Sequence, residues 1–114
     1  MRPGIRSLAR SRTHQGQVWN LVSPISGRRA TVVVVDSDVV IRQRPMLVAA
    51  PVREAREVPS RHQLLTVAMP EGTRVIALYD IAIVAKDSFT EHVGDLAPEV
   101  LDQVKIGVRA RFDL

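Results

Sequence analysis

The amino-acid sequence predicts a mainly β protein with one C-terminal helix, in which short strands form a small, partly open barrel and the helix packs across it. Three observations support this fold class. Short apolar runs rich in β-branched residues recur along the chain, turn residues separate them, and the last segment has apolar residues at helical spacing. At 114 residues, the chain has the length of one domain with a single hydrophobic core.

The first two strands are predicted on either side of a tight turn. Gln17–Val22 reads as the first strand, and Ser23–Gly27 reads as the turn, because its proline fixes φ and its glycine permits positive φ. Arg29–Asp36 follows and contains the valine run Val32–Val35. So dense a β-branched run disfavours a helix and indicates a strand buried on both faces.

The middle of the chain is expected to be extended between polar breaks. After the break at Asp36–Asp38, Val39–Arg42 is expected to continue as extended chain, and Met46–Ala50 is predicted as a buried strand between Pro45 and Pro51. The remaining strands are predicted at Gln63–Met69, at Arg74–Leu78 with Ile81–Val84 as one bent strand, and at Glu91–Leu96.

Two connecting segments have recognisable signals. Arg53–Arg61 is a charged loop that contains a proline, and loops of this kind often carry function. Lys86–Thr90 fits a single helical turn, since Asp87 and Ser88 can satisfy free amide groups at its start.

The segment after Leu96 predicts an amphipathic helix. Pro98 suits the first helical position, and Glu99 lies where the helix dipole favours negative charge. The basic side chains of the segment lie in its C-terminal half, which is the favourable end for positive charge. The apolar stripe expected to face the sheet consists of Leu101, Val104, Val108 and Phe112.

Charge is distributed unevenly along the chain. The net charge is +4, six arginines and no acidic residue precede Asp36, and fourteen of the sixteen basic residues are arginine. This pattern indicates either a face that attracts a polyanion or a solvated basic tail. Residues 1–15 combine arginines with Pro3 and Gly4 and lack apolar periodicity, so we expect a flexible basic arm there and a folded domain over 16–114.

Several classes of protein do not fit the sequence. It contains no cysteine, no apolar run long enough to span a bilayer and no secretory signal, so a cytoplasmic protein is expected. His14, His62 and His92 have no metal-ligand spacing, which argues against a zinc site. Phosphate-binding Walker loops, the serine-hydrolase elbow and the dinucleotide fingerprint are also missing from the sequence.

Four short motifs occur in an order that is typical of one protein family. Gly16–Trp19 has the form Gly-x-x-Trp, and Gly27–Ala30 resembles a Gly-x-Arg-Pro element in which alanine replaces the proline. Leu47–Val52 resembles an apolar strand end that contains a proline. Ile83–Phe89 is similar to a later strand that ends in a lysine turn, and the matching tail continues with Val93–Leu96, Pro98–Leu101 and Phe112–Leu114.

From Gly16 to Leu114 the chain therefore resembles the MazF/PemK toxins of type II toxin–antitoxin systems. The resemblance implies an SH3-like barrel with a C-terminal helix. It also implies a metal-independent endoribonuclease that cleaves single-stranded RNA, acts as a homodimer, needs no cofactor and is bound by a cognate acidic antitoxin.

The resemblance assigns two arginines to the catalytic site. Cleavage of an RNA phosphodiester without a metal requires a base, an acid and a cation beside the phosphorane. Arg29 matches the arginine of the Gly-x-Arg element, and its planar guanidinium suits phosphate oxygens; the less favoured alternative is an exposed charge at a strand start. Arg53 stands where the family has a threonine, either as a substitute phosphate ligand or as a loop residue beside Arg56.

The remaining site residues are assigned to RNA binding. His62 is either an acid–base group or a solvated loop histidine, and Asp80, where the family has an Asp-Gln pair, either orients an arginine or caps a turn. The predicted RNA-contacting residues are Trp19, Arg28, Arg56, Arg61, His62 and Asp80.

Two other functions fit the same scaffold. The altered threonine and glutamine positions suggest a non-enzymatic toxin like CcdB, which shares this fold and acts on DNA gyrase. They also suggest a catalytically inactive module that binds RNA or a partner by charge alone, with a steep dependence on salt.

Overall fold

Seven strands and two α-helices make up the fold in a computed structural model that describes residues 13–112. The helices are α1 (Asp38–Gln43) and α2 (Pro98–Phe112). The strands are β1 (Gln17–Val22), β2 (Arg29–Val34), β3 (Met46–Glu54), β4 (Thr66–Ala68), β5 (Arg74–Ala77), β6 (Ala82–Ala85) and β7 (Phe89–Asp95). Short 3₁₀ turns lie at Ala55–Glu57, Ser60–Leu65, Leu78–Asp80 and Lys86–Ser88.

The strands form one antiparallel sheet in the order β4-β5-β3-β2-β1-β7, and β6 pairs with β3 beside this path. β3 connects the two parts of the sheet, because residues Ala49 to Pro51 pair with β2 while its two ends pair with β6 and β5. The described strands do not close into a barrel. The prediction of a mainly β, partly open barrel with a C-terminal helix is confirmed.

The hydrophobic core lies on both faces of β2, as the valine run predicts. Val32 and Val34 belong to one buried cluster with Trp19, whereas Val33 belongs to a second cluster. Successive side chains of a strand point to opposite faces, so only a strand covered on both sides buries all three valines. The second cluster is covered by α2, whose Val104 is buried in it.

Helix α2 packs closely on the turn between β5 and β6. Gly107 faces Leu78, which is fully buried, and a Cβ atom at Gly107 would overlap the Leu78 side chain. The helix bounds agree with the prediction, but Phe112 at the end of the predicted apolar stripe is 55% exposed. None of the helices within residues 13–112 is long and apolar enough to cross a membrane.

The prediction of extended chain at Val39–Arg42 is wrong, because these residues lie in α1. The Ser37 side chain accepts a hydrogen bond from the Val40 amide at 3.5 Å and caps the helix, and Asp38 lies in the first turn. Ile41 is buried in the first core cluster, and the Lys86 ammonium group donates to its carbonyl oxygen. Capping and burial therefore outweigh the β preference of this β-branched segment.

Several strand boundaries also differ from the prediction. β4 begins at Thr66 rather than Gln63, since the 3₁₀ turn Ser60–Leu65 extends over the residues before it. β3 continues through Pro51 to Glu54, because the fixed φ of proline fits an extended strand. β2 ends at Val34, two residues earlier than expected.

The bent strand predicted from Arg74 to Val84 is two strands, β5 and β6, separated by the turn Leu78–Asp80, and both pair with β3. The helical turn predicted at Lys86–Thr90 is present as Lys86–Ser88, and β7 begins two residues before the predicted closing strand.

The described chain begins with three residues that are buried in, or hydrogen-bonded to, the rest of the fold. Thr13 is buried, the His14 amide donates to Gln17 Oε1 at 2.8 Å, and the Gln15 amide donates to Asp38 Oδ1 at 2.8 Å. These residues were included in the predicted arm over residues 1–15, and the rest of that arm lies outside the described residues.

Candidate active-site groove

An open groove of about 570 Å³ lies where β2 and β3 separate, beside the turn end of the β1–β2 hairpin. We call it the Arg29 groove. Its lining residues are Asn20, Leu21, Val22, Arg29, Ala30, Thr31, Val52, Thr90 and Glu91.

Strand alternation places Arg29 in this groove. Arg29, Thr31 and Val33 lie on the same face of β2, and Val33 is buried in the second core cluster. Arg29 and Thr31 therefore continue the same face beyond the edge of the core. Within residues 13–112, no ion pair or hydrogen bond engages the Arg29 guanidinium, which is exposed.

The turn before Arg29 is well defined by hydrogen bonds. The Ser23 amide donates to the Arg28 carbonyl at 2.8 Å, and the Gly27 amide donates to the Ser23 carbonyl at 2.9 Å. Gly27 has φ of 70°, a left-handed conformation that glycine adopts without a steric penalty. The turn sets the chain direction into β2, and Arg28 is exposed immediately beside the groove.

A row of hydrogen-bonded polar side chains crosses the groove. The Thr31 hydroxyl donates to Asn20 Oδ1 at 2.7 Å, and Asn20 Nδ2 donates to Glu91 Oε1 at 2.9 Å. The Thr90 hydroxyl donates to the Asn20 carbonyl oxygen at 3.2 Å. Sequence reasoning missed these residues. The local signal is that Asn20 lies between the apolar residues Trp19 and Leu21 on its strand.

The structure does not bring Arg53 into the Arg29 groove. Val52 lines the groove, and Arg53, the next residue of β3, points to the opposite face of the strand. The Arg53 guanidinium pairs with the Asp80 carboxylate. This contact agrees with the reading in which Asp80 orients an arginine. The resemblance assigns Arg29 and Arg53 to one catalytic site, but within this chain the two side chains lie on opposite faces of the sheet.

A second cluster of predicted site residues lies around the turn Leu78–Asp80. The rings of His62 and Tyr79 stack with centroids 4.5 Å apart and planes at 9°. Arg111 of α2 donates to the Tyr79 carbonyl oxygen at 2.8 Å. We call His62, Tyr79, Arg53, Asp80 and Arg111 the distal cluster, and none of them lines the Arg29 groove.

Arg56 and Arg61 are exposed on the segment between β3 and β4. The charged loop predicted at Arg53–Arg61 therefore leads to the distal cluster rather than to Arg29.

Trp19 does not fit the predicted role in RNA contact, because it is a core residue. Its side chain is 6% exposed, and its ring stacks with Phe89 at 5.2 Å and with His92 at 5.0 Å between centroids. The indole Nε1 donates to Gln17 Oε1 at 2.9 Å, which satisfies its only polar group. Packing of β1 on β7 through this ring accounts for the tryptophan of the Gly-x-x-Trp motif in this chain.

The Glu71–Arg74 ion pair lies outside the Arg29 groove. The hydrogen bond from Arg74 holds the pKa of the Glu71 carboxyl below its usual value, in the turn between β4 and β5. Over residues 13–112, no cluster of three or more acidic or histidine side chains is arranged to hold a metal ion.

Comparison with known proteins identifies the family. Residues 14–112 match the family described as PemK-like, MazF-like toxin of type II toxin–antitoxin system. No curated protein sequence is significantly similar to the chain.

Solved structures of such toxins have the same fold. An endoribonuclease in complex with its cognate antitoxin, from a mycobacterial species, is similar with a TM-score of 0.75 and 17% identity over 90% of this chain and 96% of that one. MazF in a MazE–MazF crystal structure from Deinococcus radiodurans is similar with a TM-score of 0.71 and 15% sequence identity, over 90% of this chain and 96% of that one. The Mycobacterium tuberculosis toxin MazF-mt6 is similar with a TM-score of 0.70 and 13% sequence identity, over 86% of this chain and 97% of that one.

The family match extends over nearly the whole described chain, from the residues before β1 to the end of α2, and it includes the groove at Arg29. The chain belongs to the PemK-like, MazF-like toxins of type II toxin–antitoxin systems.

Proposed function

We propose that this toxin is a metal-independent endoribonuclease that cleaves single-stranded RNA, and that Arg29 binds the scissile phosphate. The observation that carries the proposal is an exposed guanidinium in an open groove, with no carboxylate paired to it within residues 13–112. Two structural neighbours from mycobacterial species, both described as endoribonucleases, support this reading.

Arg29 suits the chemistry of phosphodiester cleavage. As the 2′ oxygen attacks phosphorus, negative charge develops on the non-bridging oxygens, and a guanidinium donates two hydrogen bonds to them in a fork. An arginine already paired with a carboxylate offers less free charge for this purpose. Arg29 meets this requirement better than Arg53, whose guanidinium is paired with Asp80.

The predicted RNA-contacting residues divide into two groups. Arg28 lies next to Arg29, and we assign it to the RNA backbone beside the scissile phosphate. Arg53, Arg56, Arg61 and His62 lie in or near the distal cluster, and we assign them to contacts with more distant nucleotides, whereas the ion pair of Asp80 with Arg53 competes with such contacts. Contacts of this kind add affinity that decreases steeply with salt concentration.

The proposal extends to the partners and the location of the toxin. A homodimer in the cytoplasm, bound by a cognate acidic antitoxin, fits the positive charge of the chain. Structural neighbours described as bound to a cognate antitoxin or to MazE support the antitoxin part of the proposal.

RNA cleavage by the purified, antitoxin-free toxin tests the proposal. We expect cleavage of a mixed single-stranded RNA in the presence of EDTA, and a loss of about 100-fold or more in rate for Arg29→Ala, the size seen when one charge-stabilising donor is removed. Arg44→Ala removes an exposed arginine that does not line the groove, and it is the matched control.

Three results would contradict the proposal in different ways. Intact RNA with the wild-type toxin would exclude the enzyme, and salt-sensitive binding without turnover would indicate an inactive RNA-binding module. Growth arrest that a DNA gyrase mutation relieves would favour a CcdB-like toxin.

A further inference from the structure

Glu91 is a carboxylate in the Arg29 groove to which the proposed function assigns no role. It lies on β7 opposite Asn20 of β1, and Asn20 lies opposite Thr31 of β2. The three polar side chains therefore form one row across three neighbouring strands. Arg29 lies on the same face of β2 as Thr31, about 7 Å farther along the strand. The groove thus has a guanidinium on one side and a carboxylate on the other.

Hydrogen bonds fix the orientation of this carboxylate. Asn20 Oδ1 accepts from the Thr31 hydroxyl, so the amide NH₂ group faces Glu91 and donates to its Oε1. A reversed amide would place its oxygen against an ionised carboxylate, which is unfavourable. Within residues 13–112, the second oxygen of Glu91 has no hydrogen-bond partner, and it remains available to a ligand.

A bulge in β7 directs the side chains into the groove. The register with β1 passes from Asn20 opposite Glu91 to Leu21 opposite Phe89, so Thr90 is an additional residue between the two pairs. Bulges of this kind change the direction of neighbouring side chains and are frequent beside active sites. Here both Thr90 and Glu91 line the groove.

The distance between the strands that carry Arg29 and Glu91 leaves room for a nucleotide between the two side chains. β1 lies between β2 and β7, so their backbones are separated by two strand spacings, or about 10 Å. No ion pair joins the two side chains in the described part of the molecule. A phosphate beside Arg29 leaves its attached ribose on the side of the groove where Glu91 lies.

We propose that Glu91 is the general base of RNA cleavage, an inference that rests on the proposed endoribonuclease function. The free carboxylate oxygen removes the proton from the ribose 2′-hydroxyl as the 2′ oxygen bonds to phosphorus. The bond from phosphorus to the 5′ oxygen breaks, and the electron pair goes to that oxygen, which takes a proton from water. The hydroxide left by this water removes the proton from Glu91. The products are a 2′,3′-cyclic phosphate and a 5′-hydroxyl, and Asn20 is a positioning residue for Glu91.

The test compares Glu91→Gln with wild-type toxin in two assays. The amide of Gln keeps an oxygen that can accept from Asn20, but it does not accept a proton at working pH. Single-turnover cleavage at saturating protein measures the chemical step, and the dissociation constant of a 2′-O-methyl copy of the RNA measures binding alone. We expect the cleavage rate to fall about 100-fold or more, because general bases contribute about 10²–10⁴-fold, while binding to the methylated RNA stays equal or tightens.

The pH profile separates a base from a merely structural residue. The wild-type rate should rise with pH and then level off, whereas the Glu91→Gln rate should keep rising as hydroxide replaces the base. Glu91→Asp should recover part of the rate and the levelling. Glu99→Gln, an exposed acid in the first turn of α2, is the matched control and should behave as wild type.

Cleavage by Glu91→Gln at the wild-type rate would overturn the assignment of the base while leaving the endoribonuclease intact. A loss of RNA binding equal to the loss of rate would also overturn it, since a base acts after binding. A wild-type toxin that cleaves no RNA would overturn the proposed function itself, and the base assignment with it.

Discussion

Replacement of Gly107 by alanine tests how closely α2 packs on the sheet. In an exposed helix interior, alanine is favoured over glycine by about 1 kcal/mol. At this position the new methyl group would overlap the side chain of Leu78, which is fully buried. Overpacking of a core costs about 1–3 kcal/mol, so the two effects together predict a net loss of stability of up to about 2 kcal/mol.

A double-mutant cycle makes this prediction sharper. Leu78→Ala alone should cost about 2–5 kcal/mol because it leaves a cavity. In that background the methyl group of Gly107→Ala meets no overlap and partly fills the cavity, so the substitution should become stabilising by about 1 kcal/mol. Gly107→Ala should thus lower the free energy of unfolding when Leu78 is present and raise it when Leu78 is replaced by alanine.

Urea denaturation followed by far-UV circular dichroism measures these free energies of unfolding. Ala110→Gly, at an exposed position of the same helix, is the control for helix propensity alone and should cost about 1 kcal/mol. A stabilising effect of Gly107→Ala in the wild-type background would refute the close contact between α2 and Leu78.

Three further substitutions test the assignments made above. Trp19→Ala should lower the free energy of unfolding by about 3–5 kcal/mol, because it removes a buried aromatic ring, and thermal denaturation measures this loss. Asp80→Asn should free the Arg53 guanidinium and tighten RNA binding at low salt. Fluorescence anisotropy measured at several salt concentrations checks this affinity, and an unchanged affinity would mean that Arg53 does not contact RNA. Glu71→Gln should remove a small stabilisation that is present at neutral pH and disappears as the pH falls through the lowered pKa of Glu71. Urea curves that differ at pH 7 and converge as the pH is lowered would agree with it.

The sequence predicts those elements in which local preference and tertiary burial favour the same structure. The valines of β2 prefer extended chain and are buried on both faces, so the pattern and the structure agree. At α1 the two disagree. The β-branched residues from Val39 to Ile41 favour a strand, but the Ser37 cap and the burial of Ile41 stabilise a helix.

The candidate site was predictable only in part. Arg29 follows from its motif, whereas the contact of Asn20 with Glu91 joins residues 71 positions apart and depends on the pairing of β1 with β7. The separation of Arg29 from Arg53 depends on β3 remaining extended through Pro51, because one residue of alternation decides which face each side chain occupies. Local sequence patterns contain neither piece of information.

The position of β7 in the sheet gives the two walls of the groove different freedom to change. β2 lies between two strands and is buried on both faces, so a substitution there must keep the packing of the core. Within residues 13–112, β7 pairs with β1 alone, and its bulge shows that the pairing tolerates an additional residue. The proposed base Glu91 has to stay, but the exposed side chains beside it on β7 can vary while the wall that contains Arg29 stays constant, so the preference for a bound ligand can change without redesign of the fold.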